Sequence, residues 1–193
     1  MRNPLNEMKI RSNMSHNQLM RERSEIHNIY GHHARVNKDG TSRPHYGWDL
    51  LAEEGTPVFA ITGGTVVRAW RDHSKKNYGS QIEIEFSHDG KTYHAFYGHL
   101  NDIYVQLFDQ VPEGKVLGVT GHTGNAHNLS KSQYHLHFEI RTPTGDGSHG
   151  AIDPAKLLGG DMLICHAKAE PPSLFEPNKG PQFCPDVRTG PAR

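Results

Sequence analysis

Histidine and aspartate recur at even spacing in two short segments of this chain. The first segment is His45-Tyr-Gly-Trp-Asp49 and the second is His135-Leu-His137. Residues at i, i+2 and i+4 of an extended strand point to the same face, so each segment would present its polar side chains together. Imidazole and carboxylate are ordinary zinc ligands, and a catalytic zinc site uses three protein ligands and a water molecule. The four candidates therefore predict one metal site, with one side chain left over for chemistry.

Such patterns also arise by chance in a chain that is rich in histidine. The chain has 15 His among 193 residues, and an isolated His-x-His pair in a strand is more often a surface or core feature than a metal site. The residues alone also do not decide whether His135 or His137 would be the ligand. The sequence around the two segments must therefore decide between a metal site and a chance pattern.

Strands and tight turns surround both segments. Residues from about 43 to 158 have strand character, most clearly in Gln81-Ile-Glu-Ile-Glu-Phe86, which places Ile82, Ile84 and Phe86 on one face. Asp89-Gly90 follows at the position of a hairpin turn. The pattern predicts β structure around the candidate ligands.

Five landmarks in chain order resemble the lysostaphin-like, or LytM-type, zinc metallopeptidases. They are Arg43-Pro-His-Tyr-Gly-Trp-Asp-Leu50 followed by Gly55-Thr-Pro-Val-Phe-Ala60, Tyr78-Gly-Ser-Gln-Ile-Glu-Ile-Glu-Phe86, Tyr93-His-Ala-Phe-Tyr-Gly-His-Leu100, Gly114-Lys-Val-Leu-Gly-Val-Thr-Gly-His-Thr-Gly124, and Tyr134-His-Leu-His-Phe-Glu-Ile140 with Ile152-Asp-Pro154. This resemblance implies a mainly β fold, in which an antiparallel sheet forms a narrow groove and helices are few and short.

The resemblance also implies which residues carry out which task. His45, Asp49 and His137 are expected to bind one Zn²⁺ per chain, and His135 and His99 are expected to be catalytic and to flank the open coordination position. We assign His135 as the base and His99 as its partner at the tetrahedral oxyanion. The chain has no His-Glu-x-x-His helix of other zinc proteases, so the metal would be held on strands.

Three further positions leave alternatives open. Tyr97 shares a face with His99 by strand alternation, so it is either a packed aromatic or part of the cleft. Glu139 is either an acceptor that orients a ligand histidine or a surface carboxylate. His122 and His127, in the glycine-rich segment, are either solvated or at the groove wall.

The function implied by the resemblance is hydrolysis of peptide cross-links in bacterial peptidoglycan by a zinc endopeptidase. A phage tail or lysis-associated wall hydrolase is the alternative within the same chemistry. A zinc-binding interaction module without hydrolytic activity, or a structural component of a phage or secretion particle, are the alternatives outside it. Intact His99 and His135 argue against members of the family that have lost the catalytic residues.

Composition restricts partners and location. Lys+Arg and Asp+Glu are both 21, so no overall positive charge favours nucleic acid or an anionic membrane. No apolar run approaches the roughly 20 residues of a membrane span, and the start has no stretch typical of a signal peptide. We therefore expect secretion or injection by a non-Sec route into the periplasm or cell wall of a target bacterium. Delivery as a secretion-system effector would require a cognate immunity protein.

The chain divides into three expected segments. Residues 1–40 form a lead-in with a helix-compatible stretch from Asn17 to Ile29, which either packs on the domain edge or covers the cleft. Residues 41–158 form the peptidase domain, and residues 159–193 form a Pro-rich extension. Cys165 and Cys184 in this extension either pair as a disulfide or remain free thiols.

Overall fold

The chain folds around one large antiparallel sheet with a small two-stranded sheet beside it. The computed structural model describes residues 1–11, 28–37, 39–72, 74–143 and 150–159. The large sheet has nine strands, and the small sheet pairs the first two strands of the chain. Every pairing between these strands is antiparallel.

The strands are numbered in chain order. They are β1 (Gly31–Val36), β2 (Ser42–His45), β3 (Trp48–Leu51), β4 (Pro57–Phe59), β5 (Gly64–Trp70), β6 (Ser80–His88), β7 (Lys91–Ile103), β8 (Gln110–Val111), β9 (Val116–Thr120), β10 (His135–Arg141) and β11 (Ala151–Ile152). Within the described ranges, the helical elements with full bounds are 3-10 turns at Gly124–Ala126 and Lys131–Gln133 and an α-helix, α1 (Ala155–Leu158). The main path through the large sheet is β11-β10-β7-β6-β5-β8, with β3 on β10, and with β9 on both β4 and β7.

The hairpin of β6 and β7 forms the centre of the large sheet. Its turn is Asp89-Gly90, where both residues have positive φ, 48° and 70°, as a tight two-residue turn requires. Ile82, Ile84 and Phe86 of β6 are all buried in the core. The alternation and the hairpin turn that the sequence predicts are therefore confirmed.

Strand β10 separates the hydrophobic core from the polar side chains of the candidate site. All seven of its residues are buried. Leu136, Phe138 and Ile140 belong to the hydrophobic core, where Phe138 packs on Tyr97 and Trp48. The intervening residues are polar, which follows from the two-residue period of a strand. Truncating a core aromatic such as Phe138 would cost about 3–5 kcal/mol, so the core holds β10 in place.

The first residues of the lead-in extend the edge of β3. Ile10 bridges Leu50, and the Arg11 amide donates to the Asp49 carbonyl at 2.9 Å. Leu5, Met8 and Ile10 are buried in the same core as β10. Arg11, the next residue, lines the cleft. Residues 1–11 therefore both pack on the domain and supply part of the cleft wall.

The fold class expected from the sequence is confirmed, since the described chain is mainly antiparallel β with few short helices. No described helix is long and apolar enough to cross a membrane. The expected Pro-rich extension beyond residue 159, both cysteines and most of the helix-compatible stretch lie outside the described residues.

Candidate metal centre and cleft

Three of the residues singled out in the sequence bring ligand atoms together in one buried cluster. The Asp49 Oδ1 atom lies 3.1 Å from His45 Nε2 and 2.8 Å from His137 Nδ1. The two ring nitrogens lie 3.3 Å apart. All three side chains are buried. These residues form a group of ligand atoms within 4.8 Å of one another that could hold a metal ion.

Strand register places two of these residues side by side, and a turn delivers the third. Asp49 of β3 and His137 of β10 are directly paired across the ladder, so their side chains share a face. His45 ends β2, and Tyr46 and Gly47 separate it from β3. The expectation that His45 and Asp49 belong to one extended strand is therefore wrong, although their side chains still meet.

Gly47 passes against the backbone of β10 where no side chain would fit. A Cβ atom built there would overlap the Phe138 carbonyl oxygen and lie 2.7 Å from Glu139 Cγ. The close approach brings the end of β2 onto β10 and lets His45 reach its two partners. The side-chain-free position in His-x-Gly-x-Asp is thus a packing requirement.

The outer nitrogens of the two clustered histidines are held by different groups. His45 Nδ1 donates to the Ile29 carbonyl oxygen at 3.0 Å, which leaves Nε2 as the atom that faces the cluster. His137 Nε2 lies 2.7 Å from Glu139 Oε1, which leaves Nδ1 facing the cluster. Such partners fix the orientation of ligand histidines in metal sites.

A buried chain of charges continues behind His137. Glu139 is fully buried and its second oxygen accepts from Arg141 Nε at 2.7 Å. The Arg141 guanidinium stacks over the Phe96 ring at 3.7 Å. Burial opposes the charge on Glu139, but His137 and Arg141 outweigh it and lower the pKa of Glu139 to about 2. Of the two alternatives for Glu139, the contacts support the orienting acceptor.

The two oxygens of Asp49 face opposite sets of groups. Oδ1 faces the two imidazoles, whereas Oδ2 lies 2.6 Å from Arg35 Nη2 and 3.4 Å from Arg11 Nη1. Burial would raise the pKa of this carboxyl, but the neighbouring histidines and Arg35 hold it well below its usual range. Asp49 is therefore a carboxylate with one oxygen available to a cation in the cluster.

The remaining two residues, His99 and His135, form a pair beside the cluster. Their ring centroids lie 4.9 Å apart, and both side chains are buried. His99 Nδ1 donates to the Thr123 carbonyl and His135 Nδ1 to the Gln133 carbonyl, each at 2.9 Å. Because a carbonyl oxygen only accepts, both neutral rings present an unprotonated Nε2 to other partners.

Burial keeps this pair neutral. It lowers the pKa of His99 to about 4 and takes that of His135 well below its ordinary value. His137 differs, because hydrogen bonds to Asp49 and Glu139 outweigh its burial and raise its pKa. The rings of the pair therefore stay neutral to lower pH than an ordinary histidine, whereas the two carboxylates favour the protonated form of His137.

The backbone of His99 has an unusual conformation that redirects its side chain. Its φ is 62°, in the left-handed region that few residues other than glycine adopt. Tyr97, two residues earlier, lies fully in the core, and its hydroxyl accepts from the Ile61 amide at 3.2 Å. The face that alternation assigns to both residues is therefore wrong for Tyr97, and the packed aromatic is the correct alternative.

The donor set and its spacing fit a zinc ion. Ligand atoms at about 2.0–2.2 Å from a tetrahedral zinc lie roughly 3.3–3.6 Å apart. The observed separations of 2.8, 3.1 and 3.3 Å reach this spacing or are shorter than it by up to about half an ångström. Two imidazoles and one carboxylate also form a familiar catalytic donor set.

The cluster opens into a cleft of about 590 Å³. His45, Asp49, His99, His135 and His137 all line it. His122 and His127 do not belong to this lining; His122 stacks on Tyr134 with ring centroids 4.4 Å apart, and His127 Nδ1 donates to the Gly124 carbonyl. The structure does not place either histidine at the groove wall.

Several lining residues were not singled out in the sequence. Among them are Arg11, Arg35, Arg43 and Tyr78. Tyr78 stacks on His137 with ring centroids 4.7 Å apart. The arginines come from segments before β3: Arg11 lies beside Asp49, and Arg35 and Arg43 lie on the paired strands β1 and β2. The only local signal for two of them was turn chemistry, Asp39-Gly40, between Arg35 and Arg43.

An antiparallel β sheet that holds a His, Asp, His cluster with two further imidazoles defines a class of metal-dependent peptidase. A family model described as Peptidase family M23 matches residues 43–154. The match covers more than half of the chain, and the chain belongs to the peptidase family M23, a family of zinc metallopeptidases. The resemblance seen in the sequence is confirmed.

Named relatives and solved structures agree with this membership. The glycyl-glycine endopeptidase ALE-1 of Staphylococcus capitis is 34% identical over 115 residues, which is 59% of this chain and 29% of that protein. The peptidoglycan DD-endopeptidase ShyA of Vibrio cholerae is 34% identical over 97 residues, 50% of this chain and 20% of that protein. The catalytic domain of lysostaphin from Staphylococcus simulans is 32% identical with a TM-score of 0.51, covering 66% of this chain and 86% of that structure. The matched region spans less than a third of either full-length relative.

Proposed function

We propose that this chain is a zinc endopeptidase that hydrolyses peptide cross-links of bacterial peptidoglycan. In this proposal His45, Asp49 and His137 bind zinc, and His135 and His99 are the catalytic side chains. The observation that carries it is the meeting of all five in one cleft, with three ligand atoms within 4.8 Å and two neutral imidazoles beside them.

The named relatives support the substrate class. ALE-1 is named for cleavage of a glycyl-glycine bond and ShyA for cleavage of peptidoglycan. Both names describe endopeptidases, and they imply different bonds. A cleft bordered by strands is also suited to a substrate in an extended conformation. These points support a wall peptide as substrate without selecting the bond.

The proposed chemistry divides between the metal and the imidazole pair. Bound by the three ligands, zinc would act as a Lewis acid that activates water and polarises the scissile carbonyl. His135 accepts the proton of the attacking water at Nε2, since its Nδ1 proton is committed to the Gln133 carbonyl. The same atom later delivers a proton to the leaving amine.

His99 is the partner of His135 in this scheme. Its Nε2 is also unprotonated in the neutral ring, because Nδ1 donates to the Thr123 carbonyl. His99 can therefore donate to the tetrahedral oxyanion only after it has taken up a proton. Both imidazoles are therefore positioned as acceptors. We assign His135 as the base because it lies two residues from His137 and because its Nε2 lies 3.7 Å from Asp49 Oδ2.

The proposal is tested by the products released from purified sacculi of several wall types. Mass spectrometry of the muropeptides should show cross-link peptides cut by the zinc-loaded protein and left whole by the His135→Ala variant. The zinc content of both proteins is measured in parallel. A zinc-loaded protein that leaves every wall type intact would contradict the proposal and support a non-hydrolytic binding module.

The substrate also supports action outside the cytoplasm, where cross-linked wall is found. Delivery by a secretion system, with an immunity protein in the producing cell, remains part of the proposal. Cytoplasmic expression in a Gram-negative host should be nearly harmless, whereas fusion to a periplasmic signal peptide should cause rounding and lysis that His99→Ala prevents. Equal toxicity in both compartments would indicate a cytosolic target instead.

A further inference from the structure

Two arginines stand directly opposite each other at the rim of the cleft. In the two-stranded sheet Arg35 of β1 pairs with Arg43 of β2, so both side chains leave the same face. Cross-strand neighbours have Cβ atoms about 4.5–5.5 Å apart, and like charges in that position are destabilising. Both residues line the cleft. Negative charge near the two guanidinium groups would offset this repulsion.

The cleft itself supplies little of that charge. Its described lining contains three arginines, a single acidic residue, Asp49, and otherwise neutral polar or apolar groups and histidines. Asp49 Oδ2 accepts from Arg35 at 2.6 Å and lies 3.4 Å from Arg11. A metal ion in the cluster would add further positive charge. The described lining, with three arginines and one acidic residue, therefore has an excess of positive charge although the chain has a formal charge of zero.

Arg43 is the member of this group that remains available to a ligand. Arg11 is held by Gln133, Asn28 and Asp49, and Arg35 by Asp49. Arg43 is exposed, and within the described part of the chain its guanidinium has no hydrogen bond or salt bridge. Since Arg35 and Arg43 are paired across the two strands, an anion bound between them would relieve the repulsion of their charges.

We propose that Arg43, with Arg35 beside it, forms a carboxylate-binding subsite that selects cross-link peptides with a free carboxylate near the scissile bond over uncharged glycine bridges. The planar guanidinium matches a carboxylate with two parallel hydrogen bonds. Arg35 contacts Asp49, which is itself a member of the metal cluster. The bound carboxylate would thus lie within one or two residues of the scissile bond, at about 3.3–3.6 Å per extended residue.

This inference rests on the proposed function and names its substrate class. A cross-link through a diamino acid that keeps a carboxylate beside its linking amine places a free carboxylate on the carbon that bears the scissile nitrogen. Glycine bridges have no carboxylate there. The cleft chemistry therefore favours the first kind of bond.

The test uses two synthetic cross-link peptides that differ only in this carboxylate, free in one and amidated in the other. With the zinc-loaded full chain, kcat/KM should be about tenfold or more higher for the free acid, as expected for a hydrogen bond to a charged group. The preference should weaken as salt screens the exposed guanidinium. Equal kcat/KM for both peptides would overturn the subsite while leaving the peptidase intact.

Variants assign the preference to Arg43. Arg43→Gln should reduce the ratio of the two kcat/KM values towards one, and Arg43→Lys should retain only part of it. Lys91→Gln removes the same charge from the turn of the central hairpin and should leave the ratio unchanged. Thermal melting checks that each variant is folded. If a variant is not folded, the comparison of the two peptides on the unaltered chain still tests the subsite. Cleavage of neither peptide, nor of any sacculus, would overturn the proposed function itself and the subsite with it.

Discussion

The cleft has two halves that use the same side chain in opposite ways. In the metal half, His137 has its outer nitrogen on a carboxylate, Glu139, at 2.7 Å, and its pKa is raised. In the imidazole half, His99 and His135 have their outer nitrogens on backbone carbonyls at 2.9 Å, and their pKa values are lowered. The carboxylate partner thus raises the pKa of His137 against its burial, whereas burial lowers the pKa of each histidine whose outer nitrogen meets a carbonyl, His45 of the metal half included.

The contrast is sharpest within β10. His135 and His137 are two residues apart on one strand, both are buried, and both line the cleft. His135 contacts the Gln133 carbonyl through Nδ1, so its Nε2 is the free nitrogen. His137 contacts Glu139 through Nε2, so its Nδ1 is the nitrogen that faces the cluster. If the two halves are separable, a substitution in one half should leave the task of the other half in place.

The largest effect is expected from loss of a ligand in the metal half. His45→Ala, Asp49→Ala or His137→Ala should weaken zinc binding by more than the roughly 10–100-fold expected for a residue that only supports a ligand. Three ligands leave no redundancy, so activity should fall to background. Zinc content by atomic emission and competition with a chelator measure the effect.

Loss of a residue in the imidazole half should leave zinc in place. His135→Ala and His99→Ala should bind close to one zinc per chain and lower kcat by about 10²–10⁴-fold, the usual contribution of a proton-transfer group. Should His135→Ala release the metal while His137→Ala retains it, the assignment of the two halves is reversed.

A smaller effect is expected from the carboxylate behind His137. Glu139→Gln keeps an acceptor but removes the charge, and it should weaken zinc binding by roughly 10–100-fold. Glu85→Gln is the matched control, since Glu85 is an exposed acid of the same sheet that contacts His94 instead of a clustered histidine. Isothermal titration with zinc compares the two variants, and equal affinities would remove Glu139 from the metal half.

The smallest effect concerns the pH profile. An unperturbed histidine titrates near about 6.5, and burial lowers the pKa of His99 to about 4. A lowered pKa keeps the ring neutral to lower pH, so the acid limb of kcat/KM should lie below about 6.5 and activity should be lost as pH falls towards 4. The profile is measured with protein whose zinc content is checked at each pH. Full activity at pH 4 would exclude an imidazole base.

The direction in which stability changes with pH follows from the same lowered pKa values. The unfolded chain takes up protons on these histidines near about pH 6.5, before the folded chain does. The metal-free protein should therefore lose stability as pH falls from about 6.5 towards 4, the value to which the pKa of His45 and His99 is lowered. Chemical denaturation across this range measures the loss, and a flat profile would contradict neutral, buried rings.

Much of the fold could be predicted from local pattern and family resemblance. The alternation of Ile82, Ile84 and Phe86 and the Asp89-Gly90 turn are properties of adjacent residues, and the structure confirms both. The five candidate site residues were chosen from the resemblance and lie in one cleft, while their roles remain predictions.

The features that could not be predicted depend on contacts between segments that are distant in the chain. The positive φ of His99 and the different partners of His135 and His137 are consequences of tertiary packing. Arg35 and Arg43 reach the cleft because β1 and β2 pair beside it. The Asp39-Gly40 turn indicates the pairing of these two strands but not their place beside the cleft. The family resemblance therefore located the site, and neither it nor strand periodicity described the electrostatics of the cleft.

The tight fit at Gly47 has a consequence for reading mutational data. This position has no functional group, yet any side chain there would press on Phe138 and Glu139, and Glu139 holds His137. A saturation scan of activity should therefore show position 47 to be as intolerant as a ligand. A homology search that leaves the middle of His-x-Gly-x-Asp unconstrained would admit sequences that cannot close the cluster.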